Sequence, residues 1–224
     1  MWNLLFFLIS SIIFVNRVLL NEKFSGLINT GFFYFYLCKD FEQELFQKHL
    51  SSMLPVFTGG EKLVLDFGSG PGIMSVFFNH YVGVDTDRTR IAMASRAFPK
   101  KEFLHIDMIT PSGGLLPFLN NTFDVVLFND CIHHISNTHF HFIFLEIDRI
   151  LKKDGFILVR EPDRNTTWTT YLLTELVENG DYVRNTPEYT ALFPNYQVVY
   201  EKHHYEYIRD YVVMGFRRNS LHSC

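Results

Sequence analysis

The chain has 224 residues, of which 47% are hydrophobic and 20% charged, a globular composition that excludes disorder and suits one domain with a large core. Its formal net charge is -4 and its pI is about 6.2. Basic residues cluster only as the pairs Lys100–Lys101, Lys152–Lys153 and Arg217–Arg218, which argues against a duplex nucleic-acid binder.

The N-terminal stretch is apolar over Leu4–Val15 except for Ser10 and Ser11, and Asn16–Arg17 interrupts it before Val18–Leu20. It is short for a membrane span, which needs about 20 apolar residues. It also lacks the basic start and small-residue cleavage site of a secretory signal. Because apolar residues occupy every face, the segment is read as a helix buried on the domain or in a partner. Membrane association through residues 1–20 is the competing expectation for an otherwise cytoplasmic protein. Cys38, Cys131 and Cys224 form no CxxC pair and no metal-ligand spacing, so a reducing compartment fits and no metal site is expected.

Residues 1–58 read as a helical, aromatic-rich extension, with one helix over Lys39–Leu54 stopping near Pro55. From Lys62 onward strands and helices alternate. Leu63–Phe67 is a short apolar strand, Gly72–His80 a short helix, Tyr81–Asp85 a second strand and Asp87–Phe98 a second helix. Strands follow at Glu102–Ile106 and Phe123–Asn129, then a helix over Asn137–Lys152. A turn at Lys153–Asp154–Gly155 leads into a strand over Phe156–Arg160. Such alternation predicts an α/β, Rossmann-like doubly wound sheet, mostly parallel. A helix is expected over Trp168–Glu178. The runs Asn195–His203 and Tyr205–Phe216 lie too close together for a crossover helix and predict an antiparallel pair at the sheet edge. The 24 Phe, spread along the chain, read as core filling.

The chemical signal is LDFGSGPG at residues 65–72. Glycines at three alternate positions let the backbone turn sharply and approach a ligand. The spacing differs from the dinucleotide pattern G-x-G-x-x-G, whose third glycine would fall at Ile73. A carboxylate at Asp66 is poorly placed for a pyrophosphate and well placed for a cationic amino group or sulfonium. Asp85 ends the second strand, where a carboxylate can accept from both ribose hydroxyls; Asp87 can then cap the following helix. Asp107 follows the third strand by the same logic, with Met108 beside it.

In this order LDFGSGPG, VGVD, HIDM, FDVVLFNDCIHHI and LKKDGFILVREP resemble the class I S-adenosylmethionine-dependent methyltransferases, over about residues 50–216. The resemblance implies a seven-stranded sheet with an antiparallel last strand and S-adenosyl-L-methionine as cofactor. It implies that Asp66, Gly68 and Gly70 hold the methionine half, with Asn129 lining the same end and Ser69 and Gly72 in the same cofactor-binding loop. Asp85 would bind the ribose, with Thr86 beside it as a further cofactor-binding residue, and Asp107 and Met108 would flank the adenine. Ser69 stands where Cys is more frequent, and Pro71 where Thr is.

Methyl transfer from a sulfonium is an in-line displacement, and a base is needed only where the acceptor must lose a proton. Candidates at the ends of the fourth and fifth strands are His133 and His134 as bases, with Asp130 and Glu161 to orient a hydroxyl or amine. Residues 164–196 are the expected acceptor-facing insertion, with Trp168, Tyr171, Tyr182, Arg184 and Tyr189 as aromatic and cationic surface over the pocket. The expected partner is a small-molecule or lipid-like acceptor. A protein or nucleic-acid methyltransferase and a catalytically silent cofactor-binding module are the alternatives, and the sequence leaves the oligomeric state open.

Overall fold

The computed structural model describes residues 62–107, 115–164, 182–206 and 209–219. The expected N-terminal extension and the helices over Lys39–Leu54 and Trp168–Glu178 lie outside them. Among the described residues no helix is long and apolar enough to cross a membrane.

Seven strands form one sheet in the order β3-β2-β1-β4-β5-β7-β6. They are β1 (Leu63–Phe67), β2 (His80–Asp85), β3 (Glu102–His105), β4 (Phe123–Asn129), β5 (Leu151–Pro162), β6 (Tyr196–Glu206) and β7 (Arg209–Arg218). The first five are parallel to one another, and β7 runs antiparallel to both β5 and β6. Three helices are described: α1 (Arg88–Ala97), α2 (Asn137–Ile150) and α3 (Thr186–Thr190). Short 3-10 turns cover Ile73–Phe77 and Ile132–His134.

The central strands are largely apolar because both their faces are covered. In β4, Val126 and Phe128 enter a core shared with α2, while Val125 and Leu127 enter one on the other face with Ile73 and Met74. The first core is largely aromatic. Phe193 sits among Phe128, Phe140, Phe144 and Phe216, with ring centroids between 4.5 Å and 6.1 Å apart, so these phenylalanines serve as core filling. Helix α2 buries Phe140, Ile143, Phe144, Ile147 and Ile150, one stripe at helical spacing, and Ser136 caps its start.

Three local expectations change. The expected helix over Gly72–His80 contracts to one 3-10 turn, because Gly72 enters it in a left-handed conformation and β2 begins at His80. Strand β5 begins at Leu151, before the expected Phe156, and Lys153–Asp154–Gly155 bulges out of it. Phe123 pairs with Leu151 and Val125 with Phe156, so β5 carries the surplus residues. Helix α3 was not expected; Asn185 and Glu188 cap it reciprocally and Pro187 lies in its first turn.

Gly215 on β7 lies beneath the ring of Phe156, and a Cβ there would stand 2.3 Å from Phe156 Cζ. Gly215→Ala is therefore expected to destabilise the domain by about 1–3 kcal/mol through overpacking. Urea unfolding checks this; an unchanged midpoint would show that the ring yields without cost.

Candidate functional site

Because β1, β2, β4 and β5 are parallel, their carboxyl ends share one edge of the sheet, where ligands of such folds bind. The glycine loop lies there. Gly68, Gly70 and Gly72 have φ of 77°, 52° and 79°, a region that favours glycine. Gly68 N and Ser69 N both donate to Val84 O, at 2.8 and 3.0 Å, which straps the loop to β2. A Cβ on Gly68 would meet Cys131 Sγ at 2.4 Å, and one on Gly72 would meet Phe103 Cζ at 2.5 Å. At Gly70 nothing comes within 4 Å, so the loop presents open backbone there.

Asp85 is buried and holds two turns together. Its Oδ2 accepts from Gly70 N and its Oδ1 from Asp87 N, each at 2.8 Å. Asp87, in turn, caps α1 by accepting from Thr89 N and Arg90 N. Each Asp85 oxygen keeps a second lone pair for a hydroxyl donor. Thr86 is exposed beside it, and Asp107 is exposed past β3. Ile106 N donates to Asp85 O, so the segment leading to Asp107 is tied to the same strand end. Met108 lies outside the described residues.

Asp66 is 1% exposed. Tyr81 donates its hydroxyl to Asp66 Oδ2 at 2.5 Å, and Asp66 Oδ1 has no hydrogen-bond partner among the described residues. Burial pushes the Asp66 carboxyl up to about 7; the Tyr81 bond pulls it down and the neighbouring Asp85 charge adds to the rise.

The ends of β4 and β5 interlock. Asp130 has a φ of 51°, its N–H donates to Arg160 O, and Arg160 donates to both the Asp130 carboxylate and Asn129 Oδ1. The Arg160 guanidinium lies 4.2 Å above the Tyr211 ring. Glu161 is fully buried and accepts from Cys131 N, Ile132 N and His133 N, while His133 Nδ1 lies 2.6 Å from its Oε2. Burial raises the Glu161 carboxyl, but His133 and the backbone donors outweigh it and hold it below the usual carboxylate range. His133 is buried; His134 is exposed, its ring centroid 4.1 Å from that of His133. Among the described residues no group of three His, Cys, Asp or Glu could hold a metal ion.

Residues 65–159 match the family model of a methyltransferase domain. The chain carries a class I S-adenosylmethionine-dependent methyltransferase domain. It is 32% identical over 104 residues to the uncharacterised methyltransferase YcgJ of Bacillus subtilis, an alignment covering 44% of this chain and 40% of that one. The chain thus spans about 40% of the length of the curated relatives it matches. An S-adenosylmethionine-dependent methyltransferase of Methanosarcina mazei shares the fold, with a TM-score of 0.61, 15% identity and 75% and 98% of the two chains covered. A geranyl diphosphate C-methyltransferase of Streptomyces coelicolor, solved with Mg2+, geranyl-S-thiolodiphosphate and S-adenosyl-L-homocysteine, superposes with a TM-score of 0.56. That pair is 13% identical and covers 71% and 70% of the chains. S-adenosylmethionine is the cofactor that goes with this domain.

The methyltransferase domain brings together at one edge Asp66, the glycine loop, Asp85, Asn129, Asp130, His133 and Glu161. Two expectations for the insertion give way. Tyr189 is fully buried and donates its hydroxyl to Pro162 O, so it belongs to the core. Arg184 is buried as well and donates to Ile132 O, Ile135 O, Tyr182 O and Asn137 Oδ1, which makes it the clamp on the turn carrying the two histidines. Trp168 and Tyr171 lie outside the described residues. Tyr81 went unnoticed in the sequence because a tyrosine in a strand reads as core; its signal is that it sits two residues before Gly83, which faces Asp66 across β1 and β2.

Glu161→Ala would strand three backbone donors and the His133 ring in the interior. We expect a loss of about 3 kcal/mol or more in urea unfolding, with a smaller loss for Glu161→Gln. Equal stability of Glu161→Ala and wild type would refute this anchoring role.

Proposed function

We propose that this chain transfers a methyl group from S-adenosyl-L-methionine to a small-molecule or lipid-like acceptor, through a domain spanning residues 59–224. The observation that carries the cofactor half is the pairing of open space over Gly70 with a buried acceptor, Asp66 Oδ1, that has no donor among the described residues. A buried polar atom of this kind is costly unless a ligand supplies its partner.

The residues present fit the cofactor. Asp66, Gly68, Ser69, Gly70 and Gly72 would hold the methionine half, with Asn129 at the same end. Asp85 and Thr86 would take the ribose, and Asp107 and Met108 the adenine. When bound, the cofactor supplies an electrophilic methyl group on a sulfonium. The protein's own part is alignment and exclusion of water. Glu161 and Arg184 fix the turn that carries His133 and His134, and Arg160 holds Asp130 and Asn129 against it. In this reading His134, exposed beside its buried neighbour, is the group that would receive an acceptor's proton. His133, Asp130 and Glu161 orient the turn.

The acceptor class rests on charge and on the N-terminus. A net charge of -4 without a basic cluster gives nothing to hold a polyanion. Membrane association through residues 1–20, the competing expectation for the apolar run Leu4–Val15, would favour the lipid-like side. That a geranyl diphosphate C-methyltransferase has a similar fold lends support to an acceptor with a lipid-like part.

Calorimetry with S-adenosylhomocysteine should give saturable binding that weakens about tenfold or more in Asp85→Ala, from loss of charge-assisted hydrogen bonds. Undiminished affinity in that variant refutes the site. With a methyl-labelled cofactor and cell extract, label should enter the organic phase; label in protein or nucleic acid would overturn the acceptor class.

A further inference from the structure

Asp66 lies on β1 directly opposite Gly83 of β2, and Tyr81 lies one step back along the same face. Gly83 has no side chain to separate the two. A Cβ there would stand 2.7 Å from Phe103 Cδ1 and 2.8 Å from Ser69 Oγ, so the position is filled by its neighbours. Tyr81 can therefore reach diagonally across the strands to Asp66. Its ring is 4% exposed, stacked on Phe78 at 6.4 Å and edge-on to Phe103 at 5.7 Å. Packing on both sides fixes where the hydroxyl points. That hydroxyl takes Asp66 Oδ2, and among the described residues no group takes Oδ1.

We propose that Tyr81 is a positioning residue for the cofactor: by holding Oδ2 of Asp66 it presents Oδ1 to the cofactor's ammonium group. This rests on the methyltransferase reading above and adds a residue that the family motifs do not contain. A consequence follows for protons. The titratable groups acting on Asp66 are Tyr81 and Asp85, both from β2, and the Cys131 thiol lies within its field from the end of β4. Burial leaves the free carboxyl titrating at about 7. A cation placed at Oδ1 favours the charged form. Binding near neutrality thus converts the carboxylic acid and an ammonium ion into a carboxylate–ammonium pair, and one proton leaves to solvent. Affinity then rises with pH through about 7, the direction in which the free site loses that proton unaided.

Tyr81 lowers the Asp66 carboxyl through its hydrogen bond. Tyr81→Phe keeps the ring and its packing while removing that donor, so the carboxyl should move further up. Titration calorimetry with S-adenosylhomocysteine, which carries the same amino-acid end, reads this across a pH series and in buffers of different ionisation enthalpy. Wild type should release a fraction of a proton on binding below neutrality. The variant should bind about tenfold more weakly near pH 7, recover most of the difference in mild alkali, and show a midpoint about one unit higher. Equal affinity and an unchanged profile in Tyr81→Phe, with wild type binding normally, would overturn the role of Tyr81 while leaving the methyltransferase reading intact. A uniform loss at every pH would overturn it too, since that signals damaged packing. Should the variant fail to fold, the wild-type proton count decides: no release below neutrality overturns the proposal. Absence of any binding by wild type would remove the cofactor site itself.

Discussion

Parallel pairing of β1 with β2 on one side and β4 on the other is the constraint from which the site follows. A parallel neighbour can be reached only by a crossover that returns the chain to the opposite end of the sheet. Every strand from β1 to β5 must therefore finish at the same edge, and the order β3-β2-β1-β4 reverses direction at β1. The loops leaving β1 and β4 diverge there toward opposite faces, and a crevice opens between them. Glycine is required at that point by two separate demands. Gly68 must clear Cys131 from the β4 loop and Gly72 must clear Phe103 from β3, so the loop is pressed from both sides and only Gly70 looks outward.

Two buried carboxylates on this edge show how the surroundings of a charge decide its use. Glu161 has three backbone N–H donors and an imidazole, and these hold it ionised despite complete burial. It is satisfied internally, and its work is to fix the turn after β4. Asp66 has one donor and lies near a second carboxylate, and its carboxyl rises to about 7. A group so short of partners is a cost to the folded chain that a cationic ligand can relieve. Glu161 and Asp66 thus differ in the number of donors around them among the described residues, and burial alone does not separate them.

The parts of the fold set by local pattern were legible in the sequence. Strands β1 and β4 carry the boundaries that their apolar runs indicate, and Asp87 caps α1 as its position after Asp85 suggests. The edge pair β6 and β7 followed from the want of room for a crossover. What depends on distant residues was not legible. The turn after Gly72 is cut short by the start of β2, and the bulge in β5 exists because β4 is shorter than its partner across Phe123–Val125. Arg184 and Tyr189 read as surface groups over a pocket because nothing local shows that the carbonyls of Ile132, Ile135 and Pro162 await them from other elements. The glycine loop and Asp85 were visible because their chemistry is local to a strand end. Tyr81 was hidden because its partner lies on another strand.

The same distinction separates the cofactor from the acceptor. The proposed cofactor contacts come mainly from β1, β2 and β3 and their following loops, with Asn129 at the end of β4, and there spacing along the chain dictates position. An acceptor would meet the turn after β4, the end of β5 and residues between β5 and β6. There the histidine turn is held rigid from behind by Glu161 and Arg184, and only His134 faces outward. The fold and its cofactor therefore constrain the reaction type, and the choice of acceptor falls to the residues that the common core does not need.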